Sequence, residues 1–174
     1  KLNPKLIIIQ GDTLSALGAS ISAFYNKIPV GHVEAGLRTY NSNSPYPEEF
    51  NRQIISKTSR FNWAPTIIAK KNLEKEGVDN ILVTGNTIID ASSFFNFPIT
   101  YEDKILITIH RRENFGKSII KIFKDLNKLS KKYKNLDFIL PIHPNPEVSK
   151  HKNYLDNINV INPLRYEEFL KLLS

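Results

Sequence analysis

The chain of 174 residues contains no cysteine, so disulfides, thiolate metal sites and cysteine nucleophiles are excluded from the start. It has no apolar run near the ~18 residues that a membrane-spanning helix needs. Before Gln10, Gly11 and Asp12 the apolar run of the N-terminal stretch is too short for a secretory signal, and the expected location is the cytoplasm. No internal repeat or low-complexity segment is present, and no Gly-x-Gly-x-x-Gly spacing occurs; "TGNT" at 84–87 is only a weak glycine signal.

Acidic residues are in the minority, and they are unevenly placed. The net charge is +7; residues 1–98 hold 10 Lys/Arg against 8 Asp/Glu, and residues 99–174 hold 14 against 9, so the halves contribute +2 and +5. Much of the excess lies in "GKSIIKIFKDLNKLSKKYKN", where lysines alternate with apolar residues at helical spacing. That pattern is expected of a solvated helix face, and aromatic–basic interleaving of the kind that binds single strands is missing, so no nucleic-acid partner is expected. By contrast, "VGHVEAGLRTYNSNSPYPEEFNR" (30–52) holds three carboxylates and no lysine.

The apolar pattern alternates between two periods. "LIIIQGD" reads as a buried parallel strand. "TLSALGASISAFYNK" has helical spacing of Leu14, Leu17, Ile21 and Phe24, with Thr13 placed to cap it. A strand "IPVGHVEAG" precedes a polar loop, and "PEEFNRQIISKTS" opens a helix with Pro47 at its start and two acids in its first turn. Strand "RFNWAP", helix "TIIAKKNLEKEG" stopped by Gly77, and strand–helix "NILVTGNTIIDASSFF" follow. "NFPITYEDK" lacks periodicity and reads as a hinge, dividing residues 1–97 from 98–174. The pattern then restarts with strand "ILITIH", a helix to about Lys132, strand "LDFILPIH", a "PNPE" turn with a short helix, strand "INVINP" and helix "RYEEFLKLLS". The expectation is two α/β units, each a parallel sheet with helices on both faces.

In such sheets ligands bind beyond the carboxyl ends of the strands. That rule gathers Asp12, Glu34 and the Thr84–Asn86 turn from the first unit, and His110, Arg111, Arg112 and His143 from the second. Acids facing a cationic wall across a cleft would suit a ligand with a phosphate end and a proton-transfer end. Singly, each has a plainer role: Asp12 as a helix cap, Glu48 and Glu49 as first-turn acids, Arg111 and Arg112 as surface charge, His32 as a locally bonded strand residue, His151 as a solvated one.

"QGDT", "VGHVEAGLRT", "PEEFNR", "VTGNTIIDA", "TIHRREN" and "PIHPNP", in that order from Gln10 to Leu164, resemble the non-hydrolysing UDP-N-acetylglucosamine 2-epimerases. The resemblance implies an α/β fold of two Rossmann-like units of the glycosyltransferase-B type. The chain would match the middle of the enzyme, with the latter part of one unit joined to the early part of the next, both incomplete. It implies C2 epimerisation of UDP-GlcNAc to UDP-ManNAc through elimination and re-addition of UDP, with no cofactor and no metal, in a homodimer. Asp12, Glu34 and Glu48 match the family's catalytic carboxylates, and His110 its active-site histidine, acting on the diphosphate. Arg52, Arg111, Arg112 and His143 would contact the UDP-sugar. Two other readings are a hydrolysing epimerase that releases ManNAc and UDP, and a nucleotide-sugar-binding module without turnover.

Overall fold

A computed structural model of the chain describes residues 3–109 and 116–174, and divides it into two compact units, Lys1–Phe94 and Phe95–Ser174. In the first unit, strands β1 (Ile7–Gln10), β2 (Val30–Val33), β3 (Phe61–Ala64) and β4 (Ile81–Val83) form one parallel sheet in sequential order. Helices α1 (Leu14–Tyr25), α2 (Glu48–Thr58) and α3 (Ile67–Lys75) make the crossovers, and α4 (Thr87–Ser93) follows β4. Local chemistry sets these boundaries. Thr13 Oγ1 accepts the Ala16 N–H to start α1, Thr66 Oγ1 accepts the Ala69 N–H to start α3, and Asn86 Oδ1 accepts the Ile88 N–H to start α4. Gly77, at φ +68°, turns the chain out of α3.

Two sequence expectations need correction in this unit. The stripe Leu14, Leu17, Ile21 and Phe24 is not the packed face of α1: Leu14 is 74% and Phe24 56% exposed. The buried face is Ala16, Leu17, Ser20 and Ala23, because α1 packs closely on α2 as well as on β1 and β2, and small side chains permit that approach. Nor do the crossover helices cover both faces. With strands in sequential order, right-handed crossovers place α1, α2 and α3 on one side of the sheet. The row Ile9, His32, Asn62 and Ile81 faces them, while Ile8 and Leu82 on the opposite face are 61% and 60% exposed.

The second unit has a three-stranded parallel sheet, β5 (Lys104–Leu106), β6 (Asp137–Pro141) and β7 (Asn159–Ile161), again in sequential order. Its helices are α5 (Lys117–Lys132), α6 (Pro146–Ser149) and α7 (Tyr166–Leu173). Ile119 and Phe123 of α5 and Val148 of α6 form a core with Phe138 and Leu140. Ile139 points the other way and lines a hollow shared with Leu172 and Leu173 of α7, so this sheet is covered on both faces as expected. Every lysine of α5 is exposed, in keeping with a solvated face. Among the described residues no helix is long and apolar enough to cross a membrane.

Candidate active site

The site is built where β1 and β2 end. Gly11 makes the last ladder bond of β1, from its N–H to the Val33 carbonyl at 3.1 Å, and then turns away at φ +70°. Asp12 follows immediately. Glu34, the first residue after β2, holds φ +68°, a left-handed conformation that non-glycine residues adopt at a cost of about 1–2 kcal/mol. Its carboxylate reaches across to the β1 end: Oε2 lies 3.8 Å from where a Cβ on Gly11 would stand. Glu34 therefore reaches the residue that precedes Asp12, at the end of β1.

Helix α2 supplies the next layer. Arg52 donates to Asp12 Oδ2 and lies 3.7 Å from Glu49 Oε2, and the Asn51 side-chain amide donates to the Asp12 carbonyl at 2.8 Å. Glu48 is one turn before Arg52 on the same helix face, half-buried at the N-terminus of α2. His143, beyond β6, is exposed, and its Nδ1 accepts the Asn145 N–H at 3.1 Å, which places the hydrogen of the neutral ring on Nε2. His110, Arg111 and Arg112 lie outside the described residues.

Glu49, expected to be an ordinary first-turn acid, is fully buried instead. One oxygen accepts the Thr39 N–H at 3.0 Å; the other accepts the Tyr40 N–H at 3.1 Å and Gln53 Nε2 at 2.8 Å. Burial acts to raise its pKa, but these donors, with Arg52, outweigh it and hold the carboxyl below the usual range. Glu49 thereby ties the loop before α2 to the helix and fixes where Glu48 stands. Arg38 is a second structural residue that sequence reasoning missed. Its side chain is fully buried, with Nε and Nη2 donating to the two oxygens of Glu76 at 2.7 and 2.8 Å, and Nη2 also to Ser56 Oγ at 2.8 Å.

His32 is buried and bonded locally, as its position in a strand suggested. Its Nε2 donates to the Gly11 carbonyl at 2.8 Å, while Nδ1 finds no partner among the described residues. Burial chiefly pushes this imidazole below its ordinary pKa; Arg38 and Arg52 act the same way, against the Gly11 carbonyl and Asp12. The consequence for stability has a definite sign. Below pH ~6.5 the unfolded chain takes up a proton that folded His32 refuses, so stability falls by up to about 1.4 kcal/mol per pH unit. Below pH ~4.5 protonation of Glu49 in the unfolded chain continues the loss in the same direction. Denaturant titrations between pH 7 and 5 should show the decline, and His32→Gln should flatten it; an equal slope in both proteins would exclude His32 as the cause.

The sequence matches the UDP-N-acetylglucosamine 2-epimerase family model over residues 1–174. The chain belongs to that family. It is 42% identical to a UDP-N-acetylglucosamine 2-epimerase of Neisseria meningitidis serogroup A, over 98% of this chain and 52% of the relative. With the epimerase of Bacillus subtilis strain 168 the identity is 40%, over 97% and 48%. Among solved structures, the N. meningitidis UDP-GlcNAc 2-epimerase bound to UDP-GlcNAc superposes with a TM-score of 0.90 at 40% identity, covering 98% of this chain and 52% of that one. S. aureus MnaA in complex with UDP superposes with a TM-score of 0.89 at 38% identity, covering 97% and 50%. The mixed α/β class with parallel sheets is thus that of the glycosyltransferase-B-like epimerases. The chain spans about half the length of the curated relatives it matches.

Proposed function

We propose that the protein carrying this chain interconverts UDP-GlcNAc and UDP-ManNAc without net hydrolysis. The observation that supports this most is that Glu34, from the end of β2, reaches Gly11 just before Asp12, while Arg52 grips one oxygen of Asp12. Inversion at C2 requires a proton to leave from one face and another to arrive on the opposite face, and that needs two acid–base groups. One carboxylate among Asp12, Glu34 and Glu48 takes the C2 proton; the C2–H electron pair forms the C1–C2 double bond, and the C1–O bond breaks to release UDP. The 2-acetamidoglucal so formed is protonated at C2 from its other face by a second carboxyl group, and a UDP oxygen returns to C1. Atoms and charge balance over the cycle, and no redox partner is consumed. By resemblance His110 and Arg111 or Arg112 act on the diphosphate, where cationic donors suit the charge that develops on the leaving group.

In D₂O, without added metal or NAD, the full-length protein should form both epimers and place deuterium at C2 of each. Epimer without deuterium at C2 would exclude the proton transfer. Release of free ManNAc and UDP as the only products would assign the hydrolysing reaction, and tight UDP binding with no exchange would leave a binding module.

A further inference from the structure

Asp12 sits in a loop whose backbone is held more tightly than a strand end requires. The Gly11 carbonyl accepts from His32 Nε2 and the Asp12 carbonyl from the Asn51 amide, each at 2.8 Å. Both donors are removed from water: His32 is fully buried and Asn51 is 2% exposed. They come from two different elements, β2 and α2, and converge on consecutive peptide units. On one side Gly11 is tied to Val33 through its N–H; on the other, Thr13 is committed to capping α1. The carboxylate at the tip of this loop is thus carried on a backbone held on both sides of the Asp12 Cα.

We propose that His32 and Asn51 are positioning residues for Asp12, gripping its two flanking carbonyls so that the carboxyl group meets C2 in a geometry that transfers a proton. This rests on the epimerisation proposed above. Neither side chain touches the reacting atoms; they act through the main chain of Gly11 and Asp12. The physical reason is that proton abstraction from carbon tolerates little misplacement. A displacement near 1 Å costs on the order of 100-fold in rate, whereas substrate binding is spread over many contacts and barely changes. A role confined to folding would have a different signature, lowering the number of competent sites without altering the chemistry at those that remain.

Three variants of the full-length protein separate these cases. Asn51→Asp keeps the shape but turns an acceptor toward the Asp12 carbonyl. His32→Leu removes the donor and keeps apolar bulk. His32→Gln retains an amide N–H at nearly the same reach. For each, UDP titration counts competent sites, and kcat per site, KM and the kinetic isotope effect with C2-deuterated UDP-GlcNAc are measured. Asn51→Asp and His32→Leu are expected to lower kcat per site by roughly 10- to 100-fold. KM and UDP affinity should stay within about 2-fold, with a larger C2 isotope effect because the C–H step becomes limiting. His32→Gln should recover most of the lost rate. Activity lost only in proportion to UDP sites, or kcat per site and isotope effect unchanged, would overturn the proposal. A parent protein that makes no C2 exchange would instead overturn the function on which it rests.

Discussion

Glu34→Gln is expected to reduce epimer formation by about 10²- to 10⁴-fold, the range by which a positioned acid–base group accelerates proton transfer. The amide has the shape of the acid but neither takes up nor releases a proton near neutral pH, so UDP binding should persist while turnover collapses. Glu34 is the more telling of the two strand-end carboxylates because its backbone carries the strain. A glycine or asparagine would occupy φ +68° with less penalty, yet a glutamate stands there with its Oε2 beside Gly11. Turnover is followed by the NMR signals of the two epimers, and UDP affinity by calorimetry. A variant whose rate stays within about 3-fold of the parent would remove Glu34 from the chemistry.

The largest stability effect is expected two residues further on. Gly36, at φ +88°, lies against α3 so closely that an added Cβ would stand 2.3 Å from the Ala69 carbonyl oxygen, 2.8 Å from its carbon and 2.9 Å from Leu73 Cγ. Two of these three atoms are helix backbone and cannot rotate aside. Gly36→Ala therefore combines a left-handed backbone penalty of about 1–2 kcal/mol with overpacking of about 1–3 kcal/mol, a large part of the ~5–15 kcal/mol that holds a typical domain together. The separation of α3 from this loop would also break the 3.0 Å bond from Asn72 Nδ2 to the Gly36 carbonyl. Gly18 is the internal control: it lies inside α1, nothing is within 4 Å of its added Cβ, and Gly18→Ala should stabilise by about 0.5–1 kcal/mol. Denaturant midpoints compare the two. Equal midpoints for the Gly36 and Gly18 variants would contradict the close contact.

What the sequence revealed of the fold was governed by local chemistry. Thr13, Pro47 and Gly77 mark helix ends because caps and stops act through their nearest neighbours, and the short apolar strands mark themselves by length and flanking turns. The packed face of α1 was not legible, because periodicity registers bulk and hydrophobicity. The contact with α2 selected small residues, leaving Leu14 and Phe24 outside. In the site, Asp12 and Glu34 stood out as polar groups at strand ends, and Arg52 through the resemblance carried by "PEEFNR". Glu48 and Glu49 are chemically identical neighbours separated by about 100° around the helix, and only the position of the loop at Thr39 and Tyr40 determines which one is buried. Arg38 falls inside "VGHVEAGLRT", but its partner Glu76 is 38 residues away, a pairing that no local pattern announces.

The sheet of the first unit also carries its own alignment marks. On the helix side, His32 and Asn62 stand opposite each other in register, the two polar members of a row that otherwise reads Ile9 and Ile81. A slip of β2 by one residue would turn His32 to the exposed face and release the Gly11 carbonyl. On the other side, the ring of Trp63 lies over Gly31, where an added Cβ would come within 2.5 Å of the indole. A slip of two residues toward Ala35 keeps every side chain on its own face but brings that ring over Val33. The polar row thus disfavours odd shifts and the glycine slot an even one, so the strand pair that carries Glu34 has one alignment in which both marks are satisfied.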